Sequence, residues 1–90
     1  MSVIRKRYIF YGSVQGVGFR YRAYYAAREY GVCGWVKNLY DGSVELEAEG
    51  SPESIEAMLL AIEKGRFVRI LDFKCEEIPA KGDTGFEIVG

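Results

Sequence analysis

Tyr8-Ile-Phe-Tyr-Gly-Ser-Val-Gln-Gly-Val-Gly-Phe-Arg20 decides the architecture, because a strand, a turn and the start of a helix follow one another within it. The first four residues are aromatic and apolar, as strands favour, and the strand is expected over residues 4–12. Alternation puts Tyr8 and Phe10 on one face and Arg7, Ile9 and Tyr11 on the other. Gly12, Gly16 and Gly18 punctuate the turn. Beyond it, Ala23, Ala27 and Tyr30 recur at helical spacing, giving a helix over residues 21–30 that Gly31 stops. Small alanines let that helix lie close to a sheet. Such a turn exposes backbone N–H groups that no helical bond uses. The helix dipole adds partial positive charge and Arg20 a full one. The result is a socket for a phosphate-sized anion. Without an anion, a cation at a helix start opposes the dipole.

Working outward, Gly34-Trp-Val-Lys-Asn38 lies in a second strand, Val32 to Leu39. It ends in a side-chain amide, Asn38, able to hold a water molecule. An anion socket beside a water holder suggests hydrolysis of a phosphate ester or anhydride. Asp41-Gly42 signals a hairpin. Val44-Glu-Leu-Glu-Ala-Glu49 alternates strictly, so one face is buried and the other acidic. Glu45, Glu47 and Glu49 are expected to be a solvated face, not a metal site. Trp35, Phe10 and Leu46 are expected in the core.

Ser51 and Pro52 supply an N-cap and a first-turn proline. Ile55, Met58, Leu59 and Ile62 form an apolar helical stripe. Glu53 and Glu56 suit the positive end of this second helix and Lys64 the negative end, with Gly65 closing it. Phe67 to Ile78 reads as a strand of untidy phase. Leu71, Phe73 and Cys75 share one face, whereas Val68 and Ile70 lie on the other. A bulge or two-sided burial near 68–71 is implied. Pro79 to Asp83 is a loop, and Phe86 to Val89 a short closing strand. The order is βαββαβ plus a final strand. With right-handed crossovers this gives an α+β, ferredoxin-like sandwich, an antiparallel sheet with both helices on one face.

Ninety residues fit one domain, 1–90, and 49% hydrophobic with 28% charged residues is ordinary for a soluble protein. Tyr8, Phe10 and Tyr11 invite a reading of single-stranded RNA binding by stacking. A net charge of −1 and the absence of an Arg/Lys-Gly-Phe-Gly-Phe strand argue against it, so no nucleic acid is expected. No apolar run approaches the roughly 20 residues of a membrane span. The N-terminus lacks the apolar centre of a signal peptide, so a cytoplasmic protein is expected. No second hydrophobic stripe calls for obligate assembly, and a monomer is expected. Cys33 and Cys75 are expected as reduced, buried small hydrophobes. They fall on strands at opposite sides of the sheet, too far apart for a disulfide. The chain has no histidine, which removes Ser-His-Asp triads, His zinc sites and imidazole bases.

Taken together, Gly12-Ser-Val-Gln-Gly-Val-Gly-Phe-Arg20 and Gly34-Trp-Val-Lys-Asn38 resemble the two signatures of the acylphosphatase family, Gly-x-Val-Gln-Gly-Val-x-Phe-Arg and Gly-Trp-Val-x-Asn. Asp41-Gly-Ser-Val-Glu45, Glu49-Gly50 and Phe86-Glu-Ile88 are similar to its hairpin, third strand and closing strand. The resemblance covers nearly the whole chain. It implies hydrolysis of the carboxyl–phosphate bond of a small-molecule acyl phosphate. It also implies a phosphate cradle of Gln15, Gly16, Val17, Gly18, Phe19 and Arg20, with Arg20 gripping the phosphoryl oxygens. Asn38 would position the attacking water, with no metal and no organic cofactor. Two segments depart from the family's usual pattern. Arg66-Phe-Val-Arg-Ile-Leu71 stands where proline and alanine are common, and the first helix is rich in tyrosine. Tyr21, Tyr24 and Tyr25 either border the pocket or cover the sheet margin.

Overall fold

The central strand is β3 (Val44–Gly50), and the sheet is built outward from it in the order β4-β1-β3-β2-β5. The structure is a computed structural model that describes residues 2–90; Met1, the first residue of the expected domain, lies outside the described residues. Strands β1 (Ile4–Ser13) and β2 (Cys33–Asn38) flank β3, each antiparallel to it, so they run parallel to one another. The long β4 (Arg69–Ile78) pairs antiparallel with β1 at one edge. The three-residue β5 (Phe86–Ile88) adds in parallel beside β2 at the other. Helices α1 (Phe19–Tyr30) and α2 (Pro52–Glu63) both cover one face. Among the described residues, no helix is long and apolar enough to cross a membrane.

Register decides which residues meet the helices. Tyr8 and Phe10 of β1 stand opposite Leu46 and Val44 of β3, and Val36 of β2 stands opposite Leu46 from the other side. These side chains, with Ala23 and Ala27 of α1 and Ile55, Met58 and Ile62 of α2, form the core. The alanines permit the close helix–sheet approach expected of them. A Cβ at Gly34 (φ 137°) would run into the Glu47 carbonyl oxygen, so only glycine lets β2 pair here. At α2, the Ser51 hydroxyl accepts from the Ser54 N–H at 3.1 Å, as the capping pattern predicts.

Several expectations are overturned. Glu47 and Glu49 do not form a solvated face; each is 6% exposed. The loop after β4 folds under the helix-free face and covers them. There the buried Arg5 donates to Glu47 (2.7 Å), Glu49 (3.1 Å) and Asp83 (2.9 Å). Glu49 also accepts from the Lys81 and Gly82 N–H groups at 2.7 and 2.9 Å. Trp35 is not core. It shares the helix-free face with Lys37, whose ammonium lies 5.8 Å from its ring centre, and the neighbouring Val36 takes the core position. Both cysteines are free, but neither is buried: Cys33 is half-buried and Cys75 exposed.

The first helix starts at Phe19, two residues earlier than expected, and β4 starts at Arg69. Gly65 does not end α2 by a left-handed turn. It leaves room for Arg22, whose side chain a Cβ would meet at 2.7 Å. The untidy phase of β4 is a bulge, not two-sided burial. Tyr11 pairs with Asp72 and Gly12 with Ile70, leaving Leu71 as the extra residue.

Candidate active site

Phe10 and Asn38 both face Val44 across β3, so β1 and β2 end at the same edge of the sheet. The loop leaving β1 therefore turns over the end of the strand that carries Asn38. Gly16 (φ 71°) and Gly18 (φ 83°) hold it in left-handed backbone, which L-residues with a Cβ rarely adopt. Gly18 is the N-cap of α1, with no side chain closing the cap. The first helical bond runs from the Arg22 N–H to the Gly18 carbonyl at 3.0 Å. Among the described residues, the N–H groups of 15–21 are thus left without a backbone acceptor.

Gly16, Gly18, Phe19, Arg20 and Asn38 line one cavity of about 130 Å³, together with Val14 and Tyr21. The Asn38 Oδ1 atom is buried and has no hydrogen-bond partner among the described residues. Burying such an acceptor unpaired costs about 1–3 kcal/mol, a cost that a donor in the cavity would offset. Arg20 makes no salt bridge or side-chain hydrogen bond among the described residues. The next arginine, Arg22, is used up. It reaches across to α2 and donates to the Ala61 carbonyl at 2.8 Å, near the negative end of that helix. The first turn of α1 carries no acidic residue, so the cavity keeps its positive field.

Gln15 and Val17, two residues of the expected cradle, are not among the cavity's lining side chains. The Gln15 amide instead donates to the Leu39 carbonyl (2.5 Å) and the Ser43 carbonyl (2.8 Å). It fastens the loop to the hairpin that follows Asn38. That hairpin is stiffened in turn by Asp41, whose carboxylate accepts from both the Ser43 hydroxyl and its N–H. Those bonds hold the Asp41 carboxyl below the usual carboxylate range, the hydroxyl contributing most. Sequence reasoning missed this fastening. Its only trace was Asp41-Gly-Ser43, readable as a turn but not as a support. Sequence reasoning also missed Val14, buried at the cavity floor. Of the three tyrosines, Tyr21 borders the cavity; Tyr25 is exposed, and Tyr24 packs edge-on against it.

Comparison with known proteins agrees with this fold. The model of the acylphosphatase family matches residues 6–88. The acylphosphatase of Thermococcus kodakarensis is 44% identical over 94 residues, spanning 100% of both chains. That of Oceanobacillus iheyensis is 44% identical over 80 residues, covering 86% of this chain and 88% of the relative. The crystal structure of acylphosphatase from Bacillus subtilis superposes with a TM-score of 0.89 at 37% identity, covering 97% of this chain and 99% of that one. Fold and relatives together define a hydrolase acting on acid anhydrides. Within that class, the chain belongs to the acylphosphatase family.

Proposed function

We propose that the chain hydrolyses the carboxyl–phosphate bond of small acyl phosphates to a carboxylate and inorganic phosphate, without a metal ion. The phosphoryl group sits on the backbone N–H groups of residues 15–20, gripped by Arg20, and Asn38 holds the attacking water. The observation that carries this reading is the unpartnered Asn38 Oδ1 in the cavity that Arg20 lines. An acceptor waiting for a donor beside a cation waiting for an anion suits water and phosphate together.

The chemistry fits the side chains at hand. The carboxylate leaving group is a good one, so no strong protein acid is required. Phosphoryl transfer passes through a loose, in-line transition state that needs positioning and charge stabilisation above all. Preorganised N–H groups and one guanidinium provide both. The water's proton passes to the substrate's own phosphate oxygens, so the lack of histidine is no obstacle. A rate–pH profile containing a protein pKa that a carboxylate mutation abolishes would refute that proton route.

Acetyl phosphate hydrolysis in EDTA, for wild type, Arg20→Ala and Asn38→Ala, tests the proposal. Rapid turnover by wild type alone is the expected result. Turnover abolished by EDTA, or undiminished in either variant, defeats the corresponding part. An inactive wild type that still binds inorganic phosphate would mean a socket without turnover.

A further inference from the structure

β4 is an edge strand ten residues long, and among the described residues nothing pairs with its outer side. Long free edges invite strand addition, and proteins blunt them with bulges and charges. Both devices are present, the Leu71 bulge and a central lysine, Lys74. Yet the helix-facing side of the strand stays apolar and open: Phe73 is 54% exposed and Leu71 74%. Helix α2 stops short of this edge, leaving a cavity of about 360 Å³ lined by Phe10, Leu59, Ile70, Leu71 and Phe73.

We infer that β4 pairs antiparallel with β4 of a second copy of this chain, about a two-fold axis at Phe73, extending the sheet across a dimer. Charge and face complementarity select this occupant and this register. The register against β1 puts Ile70, Phe73, Cys75 and Glu77 on the helix side and Arg69, Asp72, Lys74 and Glu76 on the other. With the axis at Phe73, Asp72 of each copy faces Lys74 of the other. Because the bulge removes Leu71 from the count, Ile70 faces Cys75 and Arg69 faces Glu76. Between Arg69 and Glu76 every charged pair is of opposite sign and every helix-side pair is apolar, while Glu77 falls beyond them at the strand's end. A two-fold axis one residue away in either direction stacks Asp72 on Asp72 or Lys74 on Lys74. An axis at Cys75 sets Phe73 against Glu77. Cross-strand pairs of opposite charge stabilise a sheet and like charges destabilise it. The interface is isologous and closed, so association stops at two.

Sedimentation velocity across a wide concentration range, on the full chain, tests the inference. The mass is expected to rise from 10.2 kDa to twice that value and no further. Lys74→Glu puts like charges opposite Asp72 twice per dimer and should weaken association by at least about tenfold. Asp72→Lys should do the same, and the double exchange Asp72→Lys/Lys74→Asp should restore it. Acetyl phosphate hydrolysis per chain reports that each variant is folded, since neither residue lines the active-site cavity. A chain monomeric at every concentration overturns the inference. So does a dimer indifferent to all three variants, or growth beyond two copies, which would signal open-ended edge pairing. Capture of a different protein's strand by β4, with no self-association, would overturn the choice of occupant.

Discussion

Two arginines at opposite ends of the sheet are treated in opposite ways. Arg5, at the end where β1 begins, is fully buried and bonded to Glu47, Glu49 and Asp83. Burial works against its charge, but the three carboxylate bonds outweigh it and raise its pKa above the ordinary value. Arg20, beyond the end of β1, has no carboxylate partner among the described residues and lines a cavity instead. It also stands in the first turn of a helix, where the dipole repels it. One guanidinium has its counter-charges built into the chain, and the other has none among the described residues. Arginine content alone does not separate these roles; the location of the matching carboxylates does.

The comparison breaks most violently at Arg5. Arg5→Ala leaves Glu47 and Glu49 buried with no guanidinium between them. Removing one partner of a buried ion pair costs about 3–5 kcal/mol, a large part of the stability of a small domain. Urea unfolding should show that loss, while the remaining folded molecules keep wild-type turnover. A variant as stable as wild type would mean that the loop 79–85 shields the carboxylates without Arg5. Arg20→Ala should invert the pattern. Turnover on acetyl phosphate falls by at least about 10²-fold, as when one charge-stabilising donor is removed. The unfolding midpoint holds or rises slightly, because an unfavourable charge leaves the helix start. A stability loss comparable to that of Arg5→Ala would erase the distinction drawn between the two.

A smaller effect is expected at Gln15, which is bonded within the chain like Arg5 but belongs to the loop of the proposed site. Its amide ties the loop to the hairpin behind Asn38. Gln15→Ala should lower kcat about tenfold, in keeping with loss of positioning rather than of charge. Stability should fall by about 1 kcal/mol for the lost hydrogen bonds. An unchanged kcat with raised KM would instead indicate that Gln15 serves ground-state binding alone.

How readable each region was in the sequence follows from the same physics. The loop Gly12–Arg20 works through backbone conformation, and the glycines it needs are written in the chain. Asn38 is fixed by strand register once β2 and β3 pair, so its place beside the loop follows from alternation. The helix-facing sides of β1 and β3 were legible for that reason too. Glu47 and Glu49 were not. Alternation gives the phase of a strand but not what covers its second face, and the cover comes from residues 79–85, distant in sequence and without a pattern of their own. Arg5 sits in Ile4-Arg-Lys-Arg7, which looks like an ordinary polar terminus until Asp83 folds against it. Trp35 was misplaced by size, since its neighbour Val36 has the inward parity. The extra residue in β4 was detectable as a broken period, but only the register against Tyr11 and Gly12 identifies it as Leu71.

The gentlest test of the comparison uses pH. Glu49 accepts from the Lys81 and Gly82 N–H groups and from Arg5, and the Lys81 N–H does most to hold its pKa below the ordinary value. An acid whose folded pKa is depressed contributes stability that is fully present above its unfolded value of about 4.3. That contribution drains away as pH falls through the folded value. Stability of the wild type should therefore decline below about pH 4, and Glu49→Gln should start lower at neutral pH and decline less steeply, the two curves converging in acid. Urea midpoints measured from neutral pH downward would show it. Parallel curves would mean that the carboxylate is held no better in the folded chain than in the unfolded one, and that Arg5 draws its neutralisation from Glu47 and Asp83. Arg20 gives the sharpening contrast. With no carboxylate beside it, Arg20→Ala should shift the whole curve by a constant and leave its acid slope untouched.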